Sequence, residues 1–346
     1  MSGNPYVLTF GKEPVEMIPR IAQTQELIEE FTAEQPSQQI CLISGVRGCG
    51  KTVFMSTVSR TIGASDQWIV VELNPELKLL EGLASKLSSI QRLAKLFQSA
   101  KINLSFWGIG LEVSGGAPLT DIETALIRMM EAIRKQKKRV LITIDEVSNT
   151  ENMRAFASAF QIFLRQNLPV FLLMTGLYEN IHKLQNEKSM TFLYRAPRIM
   201  LEPLNIGTMT DNYMRVLEYP YEKALEMARL TQGYSFAFQV LGYFSWRYKG
   251  DDERIFREFK QYLEEYVYEK IWDELSATDR KVIHAIANTP DGNILKIREL
   301  LGMESNQFNP YRMRLIRKGI VNGQVHGHLS FTLPCFIQFV KENYDE

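Results

Sequence analysis

Between Gln39 and about Leu204, short β-rich runs alternate with stretches in which apolar residues recur every three or four positions. That alternation is the pattern of a parallel sheet wound with crossover helices. The expected strands are Ile40 to Ser44, Trp68 to Leu73, Val140 to Asp145, Val170 to Thr175 and Arg198 to Leu201. One intervening helix carries Ile122, Leu126, Met129, Met130 and Ile133 as an apolar stripe, with Thr120 and Glu123 spaced as its capping box. Between the second and third strands, Ile102 to Val113 alternates about a glycine and reads as a hairpin insertion, with Phe106 and Trp107 covering a sheet edge or meeting a partner.

From about Asn205 to Leu275 the strand signal disappears. Ile255, Phe259, Tyr262, Leu263, Tyr266 and Val267 keep a helical period, so this stretch reads as all-helical. After it the pattern changes again. Ser276 with Asp279 caps a helix, Ile294 to Met303 suggests a second, and Asn309 to Lys318 a third, with Pro310 fitting only in its first turn and Gly319 ending it. Ile320 to Val325 and His328 to Leu333 then alternate about Gly327 as a hairpin. Three helices and a hairpin suggest a winged helix.

Composition changes the picture little. The chain has 346 residues, 45% hydrophobic and 23% charged, which is ordinary for a globular protein of two or three domains. No apolar run approaches the roughly eighteen residues needed to cross a bilayer, and the N-terminus lacks a basic-then-apolar signal, so a cytoplasmic protein with no membrane partner is expected. Cys41, Cys49 and Cys335 are odd in number and lack C-x-x-C spacing, which argues against a disulfide framework or a zinc knuckle.

Candidate chemistry begins at Gly45-Val46-Arg47-Gly48-Cys49-Gly50-Lys51-Thr52, which matches G-x-x-x-x-G-K-[ST] directly after an apolar strand. Phe54, Val58 and Ile62 then mark a helix ending at Gly63. Glycines let backbone N–H groups wrap phosphate oxygens, and the helix start, reaching through Val53, adds its positive dipole end. Lys51 would neutralise the outer phosphates, and the Thr52 hydroxyl would ligate Mg²⁺. A second element is Leu141-Ile142-Thr143-Ile144-Asp145-Glu146, an apolar strand ending in two carboxylates. Asp145 would hold the metal and Glu146 would polarise an attacking water, which favours hydrolysis over transfer to a bound acceptor.

On these two motifs the chain, over about residues 37 to 340, resembles the AAA+ division of P-loop ATPases: the archaeal-type ATPases, the STAND switches and the origin-recognition initiators with a C-terminal winged helix. The resemblance implies an α/β fold, a P-loop NTPase parallel sheet of AAA+ type followed by a helical lid domain and a winged-helix domain. It divides the chain into an N-terminal segment packing near the nucleotide (1–36), an ATPase core (37–204), a lid (205–275) and a winged helix (276–346). It implies ATP and Mg²⁺ as ligands, adenine being preferred because no N-K-x-D motif is present. It also puts Thr175 in the position that orients water, where it equally suits a helix cap, and puts Arg195, or less favourably Arg198, where a neighbouring subunit's arginine enters. Asn4-Pro5-Tyr6 and Phe10-Gly11-Lys12-Glu13 resemble the segment beside adenine. The lid departs from the family: Thr231-Gln232-Gly233-Tyr234-Ser235-Phe236 has Ser235 where a proline is common, and no arginine follows until Arg247.

The formal charge of the whole chain is zero, but Leu275 to Lys341 holds nine lysines and arginines against four acids, a net +5. On the third helix, Phe308, Tyr311 and Leu315 share one side, while Asn309, Arg314 and Arg317 face away, as suits reading a major groove. Two functions are consistent with this pattern. The first is a slow ATPase that couples nucleotide state to double-stranded DNA binding and homo-oligomerisation. The second is a STAND-like signalling or defence switch whose winged helix docks a protein. A small-molecule kinase is disfavoured, because no acceptor-binding lid is evident.

Overall fold

A computed structural model describes residues 3–9, 14–108, 119–187 and 190–344. The chain forms two compact units, one of Met1–Arg20, Gly45–Val53 and Leu201–Glu346, the other of Ile21–Ser44 and Phe54–Met200. No helix among the described residues is long and apolar enough to cross a membrane.

The second unit is the sheet. Its strands are β1 (Ile40–Ser44), β2 (Trp68–Leu73), β3 (Arg139–Ile144), β4 (Val170–Gly176) and β5 (Arg198–Met200), all parallel in the order β2-β3-β4-β1-β5. Every residue of β1 and β4 is buried, because helices cover both faces of a parallel sheet. The register sets Ile43 beside Thr175 and Ile144 beside Met174, so β1, β3 and β4 end along one edge. The neighbours β1 and β4 send the chain in opposite directions, to β2 and to β5. That reversal opens a crevice at the carboxyl edge of such sheets.

Local details correct three sequence expectations in this unit. The helix Ile122–Lys135 buries Leu126, Met129, Met130 and Ile133 of its predicted stripe and half-buries Ile122, but its N-cap is Asp121, whose carboxylate accepts the Thr124 N–H at 2.8 Å; Thr120 lies outside. The expected hairpin at 102–113 is not a strand where it is described: Ile102 and Leu104 are buried, Asn103 accepts the Ser105 N–H at 3.0 Å, and Ser105–Trp107 forms a 3-10 turn. Its remainder, from Ile109, lies outside the described residues. β5 stops at Met200, one residue early.

In the first unit, helices Ile206–Leu217, Tyr221–Leu230, Ser235–Arg247 and Asp252–Leu263 pack around Tyr213, Phe238 and Phe259. The last of them runs into a π-turn at Glu264–Tyr268 and a short helix, Glu269–Asp273. The widened turn lets Val267 and Tyr268 be buried while Tyr266, expected on the apolar side, is exposed. Tyr268 donates to the Pro334 carbonyl and packs on Phe336 and Phe339, which joins the helical and C-terminal parts in one core.

The C-terminal part has helices Ala277–Ala287, Ile294–Leu301 and Ser305–Lys318, strands β6 (Val321–Asn322) and β7 (Ser330–Phe331), and a final helix, Phe336–Asn343. Ser276 and Asp279 form the expected capping box. The third helix starts four residues before the expectation, placing Pro310 inside it. The Gln307 side chain accepts the Glu304 N–H at 3.1 Å and fixes that earlier start, while Pro310, lacking an N–H, lies on the exposed side, where water can serve the unbonded carbonyl. The β6–β7 ladder is far shorter than expected. Beyond it, Asn293 bridges His328 and the Ile294 N–H bonds the Gly327 carbonyl at 2.9 Å.

Candidate functional site

The glycine-rich loop leaves β1 and passes into the helix Lys51–Gly63. Gly48 and Gly50 have φ of 71° and 93°, a left-handed conformation that side chains resist. At Gly48 the space is also closed: a Cβ there would stand 2.3 Å from the Tyr234 hydroxyl. Cys49 is buried with its sulfur turned toward Gly45, and its N–H bonds the Val46 carbonyl at 3.3 Å. The Lys51 ammonium donates to the Gly45 and Val46 carbonyls, both at 3.0 Å, so the cation sits within the curl of the loop. Helix amides starting at Lys51 supply the partial positive charge that favours an anion.

The outer side of the loop is held by Tyr234, Ser235 and Phe236 of the stretch that departs from the family, and by Arg20, which no motif marked. Tyr234 Oη donates to the Arg47 carbonyl at 2.6 Å, the Phe236 N–H to the Gly48 carbonyl at 3.1 Å, and Ser235 Oγ to the Cys49 carbonyl at 3.0 Å. Three successive loop carbonyls are thus satisfied by three successive residues of the helical part, which leaves the loop's N–H side for a ligand. Arg20 adds a further bond to the Cys49 carbonyl at 2.9 Å, bonds Ser235 Oγ at 3.1 Å, and anchors on the Glu202 carbonyl at 3.1 Å. Burial lowers its pKa from the usual guanidinium value. No spacing rule marks Arg20, which is a lone arginine just before the helix Ile21–Thr32. Ser235, which stands where a proline is common, is the first residue of the helix Ser235–Arg247, with Tyr234 at its cap position.

The acidic pair forms the other element. Asp145 follows β3 and is half-buried; Glu146 is exposed, with a left-handed φ of 53°. Thr175 is fully buried within β4. Its hydroxyl donates to Asp145 Oδ1 and accepts the Glu146 N–H at 3.2 Å, while its carbonyl accepts the Val147 N–H at 2.8 Å. A helix-cap role for Thr175 is overturned, since the next helix, Tyr178–Gln185, is capped at Leu177 with no side-chain bond. Thr175 fixes both acids.

Arg195 ends the short helix Thr191–Tyr194, is exposed, and its side chain has no partner among the described residues. Arg198 is engaged: it donates to Gln185 Oε1 and lies 5.3 Å from the Tyr178 ring centre. Of the N-terminal residues, Tyr6 is buried and donates to Asn212 Oδ1 at 2.8 Å, with Glu16 bonded to Asn212 and Arg215. Burial raises the Tyr6 phenol above its usual range, and the Arg215 hydrogen bond holds Glu16 below its own. Phe10 to Glu13 lie outside the described residues.

On the third C-terminal helix, Asn309 and Arg317 are exposed. Arg314 is not turned away as expected. Its Nε and Nη2 bond Asp279 Oδ1 at 3.0 and 2.6 Å, and its guanidinium lies 4.9 Å from the Tyr311 ring centre. Asp279, the capping-box acid, is buried and attracts the nearest cation. Lys296 and Arg298 are likewise paired, with Asp291 and Glu304.

Among the described residues no group of three or more His, Cys, Asp and Glu is placed to hold a metal alone. Asp145 and Thr52 are oxygen donors of the kind Mg²⁺ takes, since that ion is usually held by one or two carboxylates with substrate phosphates and water completing its shell.

Comparisons with known proteins fit this architecture. The structure is similar to a Walker-type ATPase of Pyrococcus abyssi, with a TM-score of 0.65 and 17% identity over 94% of this chain and 96% of that one. It is also similar to the ORC2 protein of Aeropyrum pernix in its ADP form, with a TM-score of 0.53 and 14% identity over 97% and 96%. One family, described as "Domain of unknown function (DUF8462)", matches residues 265–340. No curated relative matches in sequence. The likenesses are of fold: a five-stranded parallel sheet with helices, of the AAA+ type, followed by a helical C-terminal region that fits a lid and a winged helix.

Proposed function

We propose that this chain is an ATPase that binds ATP with Mg²⁺ and couples nucleotide state to DNA binding and self-association. Gly45 to Val53 take the phosphates through their amides, and Lys51 turns from its own loop carbonyls to the outer phosphates. Asp145 and Thr52 would hold the metal. Mg²⁺, when bound, neutralises developing charge on the phosphate oxygens. Glu146 accepts a proton from the attacking water as that water adds to the terminal phosphorus, and the bond to the leaving diphosphate oxygen breaks. Thr175 keeps Asp145 and Glu146 in position, and Arg195 of a neighbouring copy completes the charge stabilisation.

The observation that best supports this reading is the acid pair fixed by a fully buried threonine at the sheet's carboxyl edge, since a solvated surface pair needs no such anchor. The Walker-type ATPase of similar fold lends it further support. DNA binding rests on the basic C-terminal segment, with Asn309 and Arg317 as base- or phosphate-contacting residues and Arg314 assigned to the Asp279 ion pair. The test is inorganic phosphate release from ATP by the wild-type chain and by Glu146→Gln, with and without duplex DNA. Release by wild type alone, increased by DNA, supports the reading. Release undiminished in Glu146→Gln refutes the catalytic assignment, and indifference to DNA refutes the coupling.

A further inference from the structure

Arg47, the third residue of the glycine-rich loop, is held by Glu274, two residues before the winged helix begins at Ser276. Arg47 Nε and Nη2 converge on one carboxylate oxygen, Glu274 Oε1, at 3.1 and 2.5 Å. The Glu274 main-chain carbonyl in turn accepts Lys318 Nζ at 3.5 Å, from the last turn of the helix Ser305–Lys318. The next residue, Gly319, is left-handed with φ of 77°, and a Cβ there would lie 3.5 Å from the Val46 nitrogen. Two neighbouring loop residues, Val46 and Arg47, therefore abut the end of the helix expected to read DNA.

We propose that Glu274 is a latch: it holds the winged helix against the loop when no nucleotide is bound and releases it when polyphosphate arrives. The inference rests on the loop being a nucleotide site. A guanidinium is the side chain best matched to both carboxylate and phosphate oxygens, and a polyphosphate carries more charge than Glu274 can offer, so the two compete for Arg47. Lys51 works in the same direction. In this structure it bonds the Gly45 and Val46 carbonyls, and turning to a phosphate removes one of the two donors on the Val46 carbonyl, leaving the Cys49 N–H, so Val46 is held less firmly against Gly319. A ligand that binds the released state better shifts the population toward it, and breaking the latch beforehand raises apparent affinity.

The test is calorimetric titration of Mg²⁺-ADP into the full chain as wild type, Glu274→Gln, Arg47→Ala and the double variant. The pair is about one-third exposed, so its contribution is screened. Glu274→Gln is expected to bind ADP about two- to fivefold more tightly than wild type. In the Arg47→Ala background the same change is expected to have no effect. Unchanged or weaker binding by Glu274→Gln, with wild type binding normally, overturns the latch and leaves the nucleotide site standing. No uptake by wild type overturns both. Hydrogen exchange on the wild type is a second readout. ADP should speed exchange at Leu275 and Ile320, whose N–H groups bond Trp272 and Leu315, and unchanged or slower exchange there contradicts release.

Discussion

Thr175→Val removes one hydroxyl from a fully buried site and keeps the shape of the side chain. The hydroxyl makes two bonds, one donated to Asp145 Oδ1 and one accepted from the Glu146 N–H at 3.2 Å. The Glu146 N–H retains a second acceptor, Asp145 Oδ1 at 3.1 Å, so the main loss is the bond to a charged carboxylate. Such bonds contribute about 1.5–3 kcal/mol, which in a unit of this size lowers Tm by roughly 3–12 °C. Glu146 also holds a left-handed backbone with φ of 53°, and without Thr175 it can relax away from it. Misplacement of a catalytic group by about 1 Å can cost on the order of 10² in rate. Thermal unfolding and phosphate release should therefore both fall in Thr175→Val while ADP affinity changes little, and Thr175→Ser should restore most of both. A variant with wild-type Tm and turnover would refute the positioning role.

Other expectations follow from the same contacts. Lys51→Ala should abolish nucleotide binding measured by calorimetry, whereas Glu146→Gln should keep binding and lose phosphate release by about 10²-fold or more. Arg314→Ala should lower stability by about 1–3 kcal/mol, below the roughly 3–5 kcal/mol of a fully buried pair because Arg314 is 37% exposed. Arg317→Ala should reduce the salt slope of DNA binding by about 1, as read by gel shift across salt concentrations. The Glu16 carboxyl is held below its ordinary 4.5, first by the Arg215 hydrogen bond. Its stabilisation is therefore present above that pH and lost as pH falls through its lower folded value. Glu16→Gln should be less stable than wild type at neutral pH, and the difference should shrink in acid-unfolding curves as the pH falls below 4.5 and through the lowered folded value.

The sheet and the loop were legible because each rests on local pattern. All five expected strands coincide with β1 to β5 to within a residue at either end, since apolar runs between polar segments leave a buried strand few alternatives. What escaped depended on contacts distant in sequence. Arg20, Tyr234 and Glu274 meet the loop from positions 29 to 227 residues away, and no short motif encodes such pairings. Arg314 was misread for the same reason: helical periodicity puts it on the outer face, but Asp279, thirty-five positions earlier, is buried beside it and requires a cation. Pro310 misled through a local rule, because an exposed proline can sit inside a helix whose start is fixed by Gln307 and Glu304. Thr175 shows the remaining limit: position and residue type were readable, while its partners, which rule out the cap, came only with the fold.

Calorimetric titration of ATP and ADP into the full chain, with and without Mg²⁺ and beside Lys51→Ala, measures most directly whether Gly45 to Thr52 grip a polyphosphate. Saturable uptake of both nucleotides, strengthened by Mg²⁺ and lost in Lys51→Ala, is the expected result. No uptake by folded wild-type chain, or uptake indifferent to Lys51, would contradict it.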